Sequence, residues 1–417
     1  MQNQTLENPD TSPTTDSSAS WLKSLMQALN VKSVSAGVVA ALFGCSGPAL
    51  IVISAAEAGN LSNGQTVAWL LAIYFVGGLI SLIMALRYRQ PITGAYSIPG
   101  AAIMIGALAT IPFTEAVGAF IMSGAIVLVL GVSGVIGRIM NWLPMPIVMA
   151  MIAGALIRFG TGAVQSVESM PLIAGAAAVA FFLSARLTKA VPPVLTAAIV
   201  GFGIALALGS IQPADVNIAF VAPELTMPTF TLNGLLAISI PLAALVIGAE
   251  NAQAMGVLMA EDYRPPINAM TTISGIGGMI AGAIGGHNAN IAGPMTAICS
   301  SEQAGDDKSK RYGATVVNGV LFCAFGLFAG AAVPFILALP KALIGAVAGL
   351  AMIGVLIAAF QHAFSKVAGH QIGAMVALLV AMSGISLFGI SSPFWALVFG
   401  ILVSLLLSEK PSENKAK

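Results

Sequence analysis

One carboxyl group stands alone in a long apolar stretch of the chain. Glu250 lies near the centre of residues 241–259, which contain no other ionisable side chain. Because a charge in the middle of a bilayer costs about 2.5–3.5 kcal/mol on insertion scales, we expect Glu250 to face a cavity and to bind a proton there. Gln253 is three residues further on and shares its helix face, so it is a candidate for substrate binding. The alternative is that Glu250 is a protonated packing residue bonded to a neighbouring helix.

Five further candidates precede two prolines. They are Tyr96, Ser97, His287, Asn288 and Asn290. Ser97 stands two residues before Pro99 and Asn290 four before Pro294, so each is predicted to cap the helix that follows it. The others could form a hydrogen-bonding wall of a substrate site, and the Tyr96 ring could stack on a flat substrate. The alternative is that these residues only satisfy interrupted backbone.

Two more residues have weaker patterns. The first apolar segment is interrupted at residues 44–48, where Ser46 could line a cavity and Cys45 is more simply part of a packing kink. Arg158 is expected near the outer end of its segment, where a long side chain can reach water. It could instead draw anions toward an entrance.

Motifs for catalysis, metal binding and nucleotide binding are absent from the sequence. The three cysteines and three histidines form no C-x-x-C pair and no spacing typical of a metal site. There is no G-x-x-x-x-G-K-[ST], H-E-x-x-H or G-x-S-x-G motif either. We therefore expect neither an enzyme nor a bound cofactor.

The composition indicates what kind of element must hold these residues. Of the 417 residues, 58% are hydrophobic and 8% are charged, and the mean hydropathy is +0.95. Soluble domains carry about 25% charged residues. The composition therefore excludes a soluble globular enzyme, a disordered chain and a nucleic-acid-binding protein, which needs a basic surface. It predicts an all-α polytopic membrane protein.

Fourteen apolar segments are predicted, since a crossing helix needs roughly 20 apolar residues. They are 34–55, 65–86, 98–110, 115–137, 144–160, 171–187, 191–209, 233–258, 267–285, 293–302, 314–338, 340–360, 369–388 and 392–408. The third and tenth are too short to cross alone. Two G-x-x-x-G patterns, at 278–282 and 345–349, predict close helix packing.

The basic residues predict the orientation. With both termini in the cytoplasm, fifteen of the seventeen Lys and Arg fall in inner loops, and only Lys341 and Arg158 do not. Residues 1–20 contain no Lys or Arg and resemble no secretory signal. We expect a multi-pass protein of the inner (plasma) membrane, whose residues 21–30 form an interfacial helix or a plain linker.

The two short segments lie seven segments apart, which predicts two halves of seven. Because seven is odd, the second half must be inverted, an arrangement typical of secondary transporters. Short extended stretches, 90–97 and 285–291, precede the two half-helices. We expect both half-helices to begin near mid-membrane and to direct their free backbone N–H groups at a shared site for an anion or a polar heterocycle.

With these residues in hand, the chain resembles the benzoate–proton symporter family (BenE type), which is related to uracil permease and the nucleobase–ascorbate transporters. The resemblance covers residues 33–408 and rests on five motifs. They are Phe43-Gly-Cys-Ser-Gly-Pro48, Gln90-Pro-Ile92, Tyr96-Ser-Ile-Pro-Gly100, Glu250-Asn-Ala-Gln253 and Gly285-Gly-His-Asn-Ala-Asn290. In the related nucleobase carriers an acid on the eighth span binds substrate, and Glu250 matches it. The acid of their tenth span has no match here, where His287 and Asn290 stand near the break, and this favours a carboxylate substrate.

The resemblance implies a core domain and a gate domain. The implied boundaries are a cytoplasmic tail and interfacial helix at 1–32, core halves at 33–137 and 233–338, gate halves at 138–232 and 339–408, and a cytoplasmic tail at 409–417. A homodimer through the gate domain is expected by analogy with relatives.

The function expected from these observations is proton-coupled uptake of benzoate or a similar aromatic carboxylate by alternating access. Glu250 would be the proton-coupling residue, and the partners would be the substrate, protons and the lipid bilayer, without nucleic acid. The alternatives are a carrier for another small anion or for a nucleobase, and an anion channel on the same scaffold.

Overall fold

The computed structural model describes residues 17–45, 47–142, 144–187, 193–211, 222–330, 339–364, 369–387 and 390–409. The candidate Ser46 lies outside these residues, as do Lys189, Lys366, most of the N-terminal tail and the end of the C-terminal tail. The described part of the chain is predominantly helical.

The helices of the first half have these bounds: α1 Ser17–Ala28, α2 Val31–Cys45, α3 Gly47–Ala58, α4 Asn63–Tyr88, α5 Ile98–Leu108, α6 Phe113–Val132, α7 Val135–Trp142, α8 Met145–Ser169, α9 Pro171–Leu187 and α10 Pro193–Ala207. Those of the second half are α11 Leu232–Ala260, α12 Ile267–Ile284, α13 Gly293–Ser300, α14 Tyr312–Leu327, α15 Lys341–Ala363, α16 Gln371–Ser383 and α17 Ser392–Leu406. The strands are β1 Gly94–Ala95, β2 Asn290–Ile291, β3 Ser386–Leu387 and β4 Ile390–Ser391.

Among the described residues, five helices are long and apolar enough to cross a membrane: α4, α6, α8, α11 and α12. Shorter apolar helices, including α2, α5, α9, α10 and α16, accompany them. Large apolar side chains such as Val129, Phe182 and Leu379 are exposed on their outer surfaces, as in a protein surrounded by lipid. The protein is therefore a helical membrane protein, and the total of fourteen crossings stays a prediction.

Pro48 leaves one backbone acceptor of the first apolar segment without its usual helical partner. In a continuous helix the carbonyl of Gly44 would accept from the N–H of residue 48, but Pro48 has none. The carbonyl accepts instead from the hydroxyl groups of Tyr74 at 2.7 Å and Tyr96 at 3.1 Å. The two tyrosines thus satisfy the acceptor that the proline leaves free.

The fifth predicted segment, 144–160, is shorter than the helix that the structure has there. Helix α8 continues to Ser169 and does not end near residue 160, so Arg158 lies in mid-helix and the expectation that it stands near a helix end is wrong. The polar stretch after Phe159 stays helical because α15 packs closely along it. A Cβ added at Gly349 would collide with the carbonyl oxygen of Phe159, and one at Gly345 would lie 2.5 Å from the Ser166 hydroxyl.

The other G-x-x-x-G pattern also marks a close helix contact, as predicted. Gly278 and Gly282 of α12 face α6, where a Cβ at Gly278 would lie 3.2 Å from the Cα of Gly124, and one at Gly282 would lie 2.9 Å from the Ile121 nitrogen. The absence of side chains at these positions lets the two backbones approach closely.

The helices pack in two sets. In the first, α12 packs along α6 and α14 packs along both α4 and α2. In the second, α8 packs along α15 and α16, and α16 packs along α17. The C-terminal part of α11, from Ala252 to Ala260, also contacts α8, so this helix lies where the two sets meet.

Several loops that the sequence predicted on one side of the membrane meet in the structure. Lys32 pairs with Asp306 and Lys308 with Asp262, both at 2.8 Å. The hydrogen bond from the Lys308 ammonium lowers the pKa of the Asp262 carboxyl. The buried Arg311 side chain pairs with Glu261 at 2.8 Å and donates to the carbonyls of Ser300 and Gly305, so it holds the end of α13.

Candidate functional site

Two short strands bring the two helix breaks together. Strands β1 and β2 pair antiparallel, with Gly94 opposite Ile291 and Ala95 opposite Asn290. The N–H of Ala292 also donates to the carbonyl of Thr93 at 2.9 Å, which extends the pairing by one bond. Because α5 begins three residues after β1 and α13 two after β2, both helix N-termini lie next to this ladder.

The two helix N-termini are satisfied differently. Ser97 caps α5, since its hydroxyl oxygen accepts from the N–H of Gly100 at 3.0 Å, and this prediction is confirmed. The predicted cap at Asn290 is wrong. Helix α13 begins after Ala292, which has no capping side chain, and the Asn290 amide lies on β2 and donates to the carbonyl of Ile291.

A carboxylate from another helix takes the place of the missing cap. Oε2 of Glu250 accepts from the N–H of Gly293, the first residue of α13, at 3.2 Å. The same carboxylate interacts with the N–H of Ile98, the first residue of α5. Glu250 is 3% exposed and lies in a π-helical turn of α11, Val246–Asn251, a local irregularity often found at functional sites.

A small cavity of about 30 Å³ lies at these helix ends. It is lined by Ile98 and Pro99 of α5, Ala155, Leu156, Arg158 and Phe159 of α8, Ala249, Glu250 and Gln253 of α11, and Pro294 of α13. The cavity therefore joins the two helix starts, the carboxyl group on α11 and the middle of α8.

Gln253 offers a free donor at this cavity. The residue is 5% exposed, and its Nε2 has no hydrogen-bond partner among the described residues. Buried polar atoms nearly always have a partner, so an unpaired donor that lines a cavity indicates a ligand-binding atom. The side chain packs against the start of α13, where a Cβ at Gly293 would collide with its Oε1.

Arg158 brings a positive charge to the same cavity, although its sequence position predicted a place near the outer end of its segment, where it could reach water or draw anions toward an entrance. Its charge interacts with that of Glu250, yet the two side chains form no salt bridge within the described part of the protein. The guanidinium lies 5.1 Å from the ring centroid of Phe159, and the residue is exposed at the protein surface. The sequence predicted that this helix ends near residue 160. A helix that continues to Ser169 places Arg158 in its middle, where an arginine is a candidate for anion binding.

His287 holds the start of α5 from behind. Its Nδ1 accepts from the indole N–H of Trp69 at 2.9 Å, so the proton must be on Nε2, which donates to the carbonyl of Ser97 at 2.9 Å. The ring is completely buried. Both nitrogens are used by protein groups, which makes His287 a positioning residue for the helix start.

The remaining candidates lie in the same polar interior but do not line the cavity. Tyr96 is 1% exposed, and its hydroxyl donates to the carbonyl of Gly44. Asn288 accepts from the N–H of Ser97 at 3.1 Å, while its Nδ2, like Oδ1 of Asn290, has no partner among the described residues. Of the described candidates, Glu250 and Gln253 thus line the cavity. The other candidates lie at the strand pair and the helix starts beside it: Tyr96, Ser97, His287, Asn288 and Asn290.

The charges at the cavity suit a small anion. Two helix N-termini carry partial positive charge, Arg158 adds a full one, and the Glu250 carboxylate supplies a negative charge that a proton can cancel. Within the described ranges no group of three or more His, Cys, Asp or Glu could hold a metal ion.

Comparison with known proteins identifies related chains of nearly the same length. The inner membrane protein YdcO of Escherichia coli (strain K12) is 31% identical over 383 residues, which are 91% of this chain and 97% of that protein. The benzoate membrane transport protein of Acinetobacter baylyi is 27% identical over 386 residues, which are 93% of this chain and 98% of that protein.

Two solved structures share the fold. The transmembrane domain of BicA, a bicarbonate transporter of a cyanobacterium, has a TM-score of 0.50 and 15% identity, over 90% of this chain and 96% of that one. SLC26A9 has a TM-score of 0.51 and 13% identity, over 97% of this chain and 73% of that one. At these identities the likeness concerns the fold alone.

A family model extends the relationship across the chain. The model for the benzoate membrane transport protein family, BenE, matches residues 27–406. This range includes every candidate site residue and both strand-paired breaks. The chain is therefore a multi-pass membrane transporter and not an enzyme, and it belongs to the BenE family of benzoate membrane transport proteins.

Proposed function

We propose that this protein takes up benzoate or a similar aromatic carboxylate together with a proton. The observation that carries the proposal is the bond from the Gly293 N–H to the Glu250 carboxylate at a cavity shared by two helix N-termini. A substrate carboxylate has the same shape and charge as the Glu250 group that occupies these donors. It can replace that group once Glu250 has bound a proton and lost its negative charge.

The free Nε2 of Gln253 supports a hydrogen-bonding substrate at the same place. Aromatic side chains also stand nearby, since Phe159 lines the cavity and its ring lies 5.0 Å from that of Phe43 in an edge-to-face contact. An aromatic acid would direct its carboxylate at the helix starts and its ring toward these apolar groups. The name of the Acinetobacter baylyi relative agrees with such a substrate.

Transport by alternating access is supported by the size and the place of the cavity. At about 10–15 Å³ for each water molecule, a volume of about 30 Å³ holds about two waters and no aromatic ring. A second cavity of about 10 Å³, lined by Met149, Glu261 and Ser300 among others, lies between the same helices α8, α11 and α13. Movement of the first helix set against the second would enlarge both and admit the substrate.

The two helix sets support the proposed core and gate domains. The core comprises residues 33–137 and 233–338, the gate comprises residues 138–232 and 339–408, and each is built from two inverted halves that together make fourteen spans. Both termini lie in the cytoplasm, and two copies pair through the gate. The meeting of the loops that carry Lys32, Asp262 and Lys308 supports one shared loop side.

Uptake by purified protein in liposomes tests the function. A panel of radiolabelled aromatic acids and nucleobases is offered with and without an inward proton gradient, at acidic and at neutral pH. We expect accumulation of benzoate above its outside concentration, dependent on the gradient, and no accumulation of nucleobases. A sodium gradient in place of the proton gradient serves as the control and should have no effect.

Three outcomes would overturn the proposal. Accumulation of nucleobases but not aromatic acids would show a different substrate, and accumulation that follows only the sodium gradient would show a different driving ion. Unitary currents in planar bilayers without accumulation would show an anion channel.

A further inference from the structure

The middle of α8 places a positive charge at the cavity that neither the sequence motifs nor the relatives' names account for. Helix α8 belongs to the second helix set, whereas Glu250, Gln253 and both helix starts belong to the first or to its boundary. Arg158 therefore faces the anion site from across the interface between the two sets. A cation in this position contacts the substrate only while the sets are close together.

The guanidinium of Arg158 is free to take a ligand. Within the described residues, none of its donors has a hydrogen bond or ion pair with a protein acceptor, and its recorded side-chain neighbour is the Phe159 ring. An arginine has five donors in a planar fork that matches a carboxylate. Arg158, whose fork is unused, and Gln253, whose Nε2 is unpaired, line one cavity, so two residues there have donors without protein partners.

We propose that Arg158 binds the substrate carboxylate and thereby couples it to the proton on Glu250. With Glu250 ionised and no substrate, the positive Arg158 balances the negative carboxylate. When an anion binds next to Arg158, two negative charges would face one positive charge unless Glu250 takes up a proton. The site is electrically balanced in both states, and one proton enters for each monovalent anion.

The other titratable groups near Glu250 do not change this balance. One is the hydroxyl of Tyr96, on the segment before α5, and the thiol of Cys45 at the end of α2 lies near that hydroxyl. Both are buried and uncharged when protonated. His287 behind the helix start has its two nitrogens fixed by Trp69 and Ser97. Arg158 and Glu250 are thus the pair whose charges the substrate must match.

The pairing also names the substrate class. One arginine and one carboxyl that gains a proton balance a single negative charge, so the site suits a monocarboxylate. A dicarboxylate would bring a second charge for which the described cavity has no partner. This inference rests on the proposed function and makes a narrower claim about one residue.

Transport kinetics of Arg158 variants in liposomes test the inference. We expect Arg158→Gln to raise the KM for benzoate about 10–100-fold, the loss expected for a charged hydrogen bond, with a much smaller change in kcat. Arg158→Lys keeps the charge without the fork and should recover part of the affinity. Arg186→Gln, which neutralises an exposed arginine in the last turn of α9, is the matched control and should leave KM unchanged.

A pH series separates charge coupling from structural damage. In wild-type protein the apparent affinity for benzoate should fall by about tenfold for each pH unit once Glu250 is ionised, because a proton must enter with the anion. In Glu250→Gln, Arg158 has no competitor, so benzoate should still bind and its affinity should hardly depend on pH.

The inference is overturned if Arg158→Gln transports benzoate with the wild-type KM, or if benzoate binding to Glu250→Gln keeps the wild-type pH dependence. Failure of the proposed function gives a different result, since wild-type protein would then accumulate no aromatic acid. Should Arg158→Gln fail to fold, the Arg158→Lys variant and the pH series on Glu250→Gln still decide the question.

Discussion

Two helix starts lie side by side in this protein, and they are held by different means. At α5, Ser97 takes part in three hydrogen bonds between uncharged groups. The Ser97 hydroxyl accepts from the N–H of Gly100, the Ser97 N–H donates to the amide oxygen of Asn288, and the Ser97 carbonyl accepts from the His287 ring. At α13, no capping side chain is present, and the first N–H goes to the Glu250 carboxylate. The start of α5 therefore keeps bonds to three uncharged groups when Glu250 binds a proton, whereas the start of α13 has only the group that the proton neutralises.

The largest effect is expected when the ionisable carboxyl group at the start of α13 is replaced by a group that is always neutral. Glu250→Gln keeps the size and an acceptor oxygen for the Gly293 N–H but cannot gain or lose a proton. We expect accumulation driven by a proton gradient to fall to the level of liposomes without protein, while exchange of labelled for unlabelled substrate continues. Glu57→Gln, which changes an exposed carboxylate in the last turn of α3, should accumulate substrate normally. Normal gradient-driven uptake by Glu250→Gln would show that the start of α13 does not need an ionisable group, so it would not differ from the start of α5 in this respect.

The start of α5 can be destabilised by a substitution at His287. His287→Phe leaves the indole N–H of Trp69 without a partner in a buried region and removes one of the two bonds to the carbonyl of Ser97, which still accepts from the N–H of Ala101. At about 1–3 kcal/mol for an unsatisfied group, we expect a loss of about 2 kcal/mol in the free energy of unfolding. The thermal unfolding midpoint in detergent measures it, with the exposed His362→Phe as control. Equal midpoints for the two variants would show that the ring does not support α5.

Adding one methyl group to each helix start sharpens the contrast. A Cβ at Gly293 would collide with Oε1 of Gln253 and lie 2.6 Å from its Cδ, so Gly293→Ala must displace that side chain from the cavity. Overpacking of this kind costs about 1–3 kcal/mol, and we expect uptake to fall about tenfold.

Gly100→Ala is the matched variant at α5. The closest atom that its Cβ would meet is a methyl group of Leu242 at 2.7 Å, the end of a flexible side chain. Initial rates of substrate uptake compare the two alanine variants. A larger loss in Gly100→Ala than in Gly293→Ala would mean that the capped start forms the more sensitive part of the site.

The smallest effect is expected at the cap of α5. Ser97→Ala removes the acceptor for the Gly100 N–H, which typically costs about 1 kcal/mol. We expect a slightly lower unfolding midpoint in detergent and nearly normal uptake, because the Ser97 hydroxyl does not line the cavity. Loss of uptake as complete as in Glu250→Gln would show that the Ser97 hydroxyl itself binds substrate.

Much of this arrangement could be predicted from the sequence. Apolar runs of bilayer length located α4, α6 and α12 to within a few residues, and the prolines at 99 and 294 indicated the two short helices. Glu250 stood out because an isolated carboxyl in an apolar run needs a polar environment, and the structure provides the N–H of Gly293.

The rest depended on three-dimensional pairing that no local pattern shows. Strands of two residues, such as Gly94–Ala95, are too short to predict, and they form only because β2 lies beside them. Asparagine is a favourable capping residue, which made Asn290 the predicted cap. Helix α13 begins after Ala292, and residue types alone do not show this start. The sequence predicted Arg158 near a helix end because nothing in it shows that α8 continues through a polar stretch that packs against α15.

In the proposed mechanism the substrate anion takes the place of the Glu250 charge at the start of α13. The number of protons taken up from weak buffer as benzoate binds to purified protein, above the pH at which Glu250 ionises, is the decisive measurement. We expect about one proton for each benzoate bound by wild-type protein and none for Glu250→Gln. Equal proton uptake by the two proteins would contradict it.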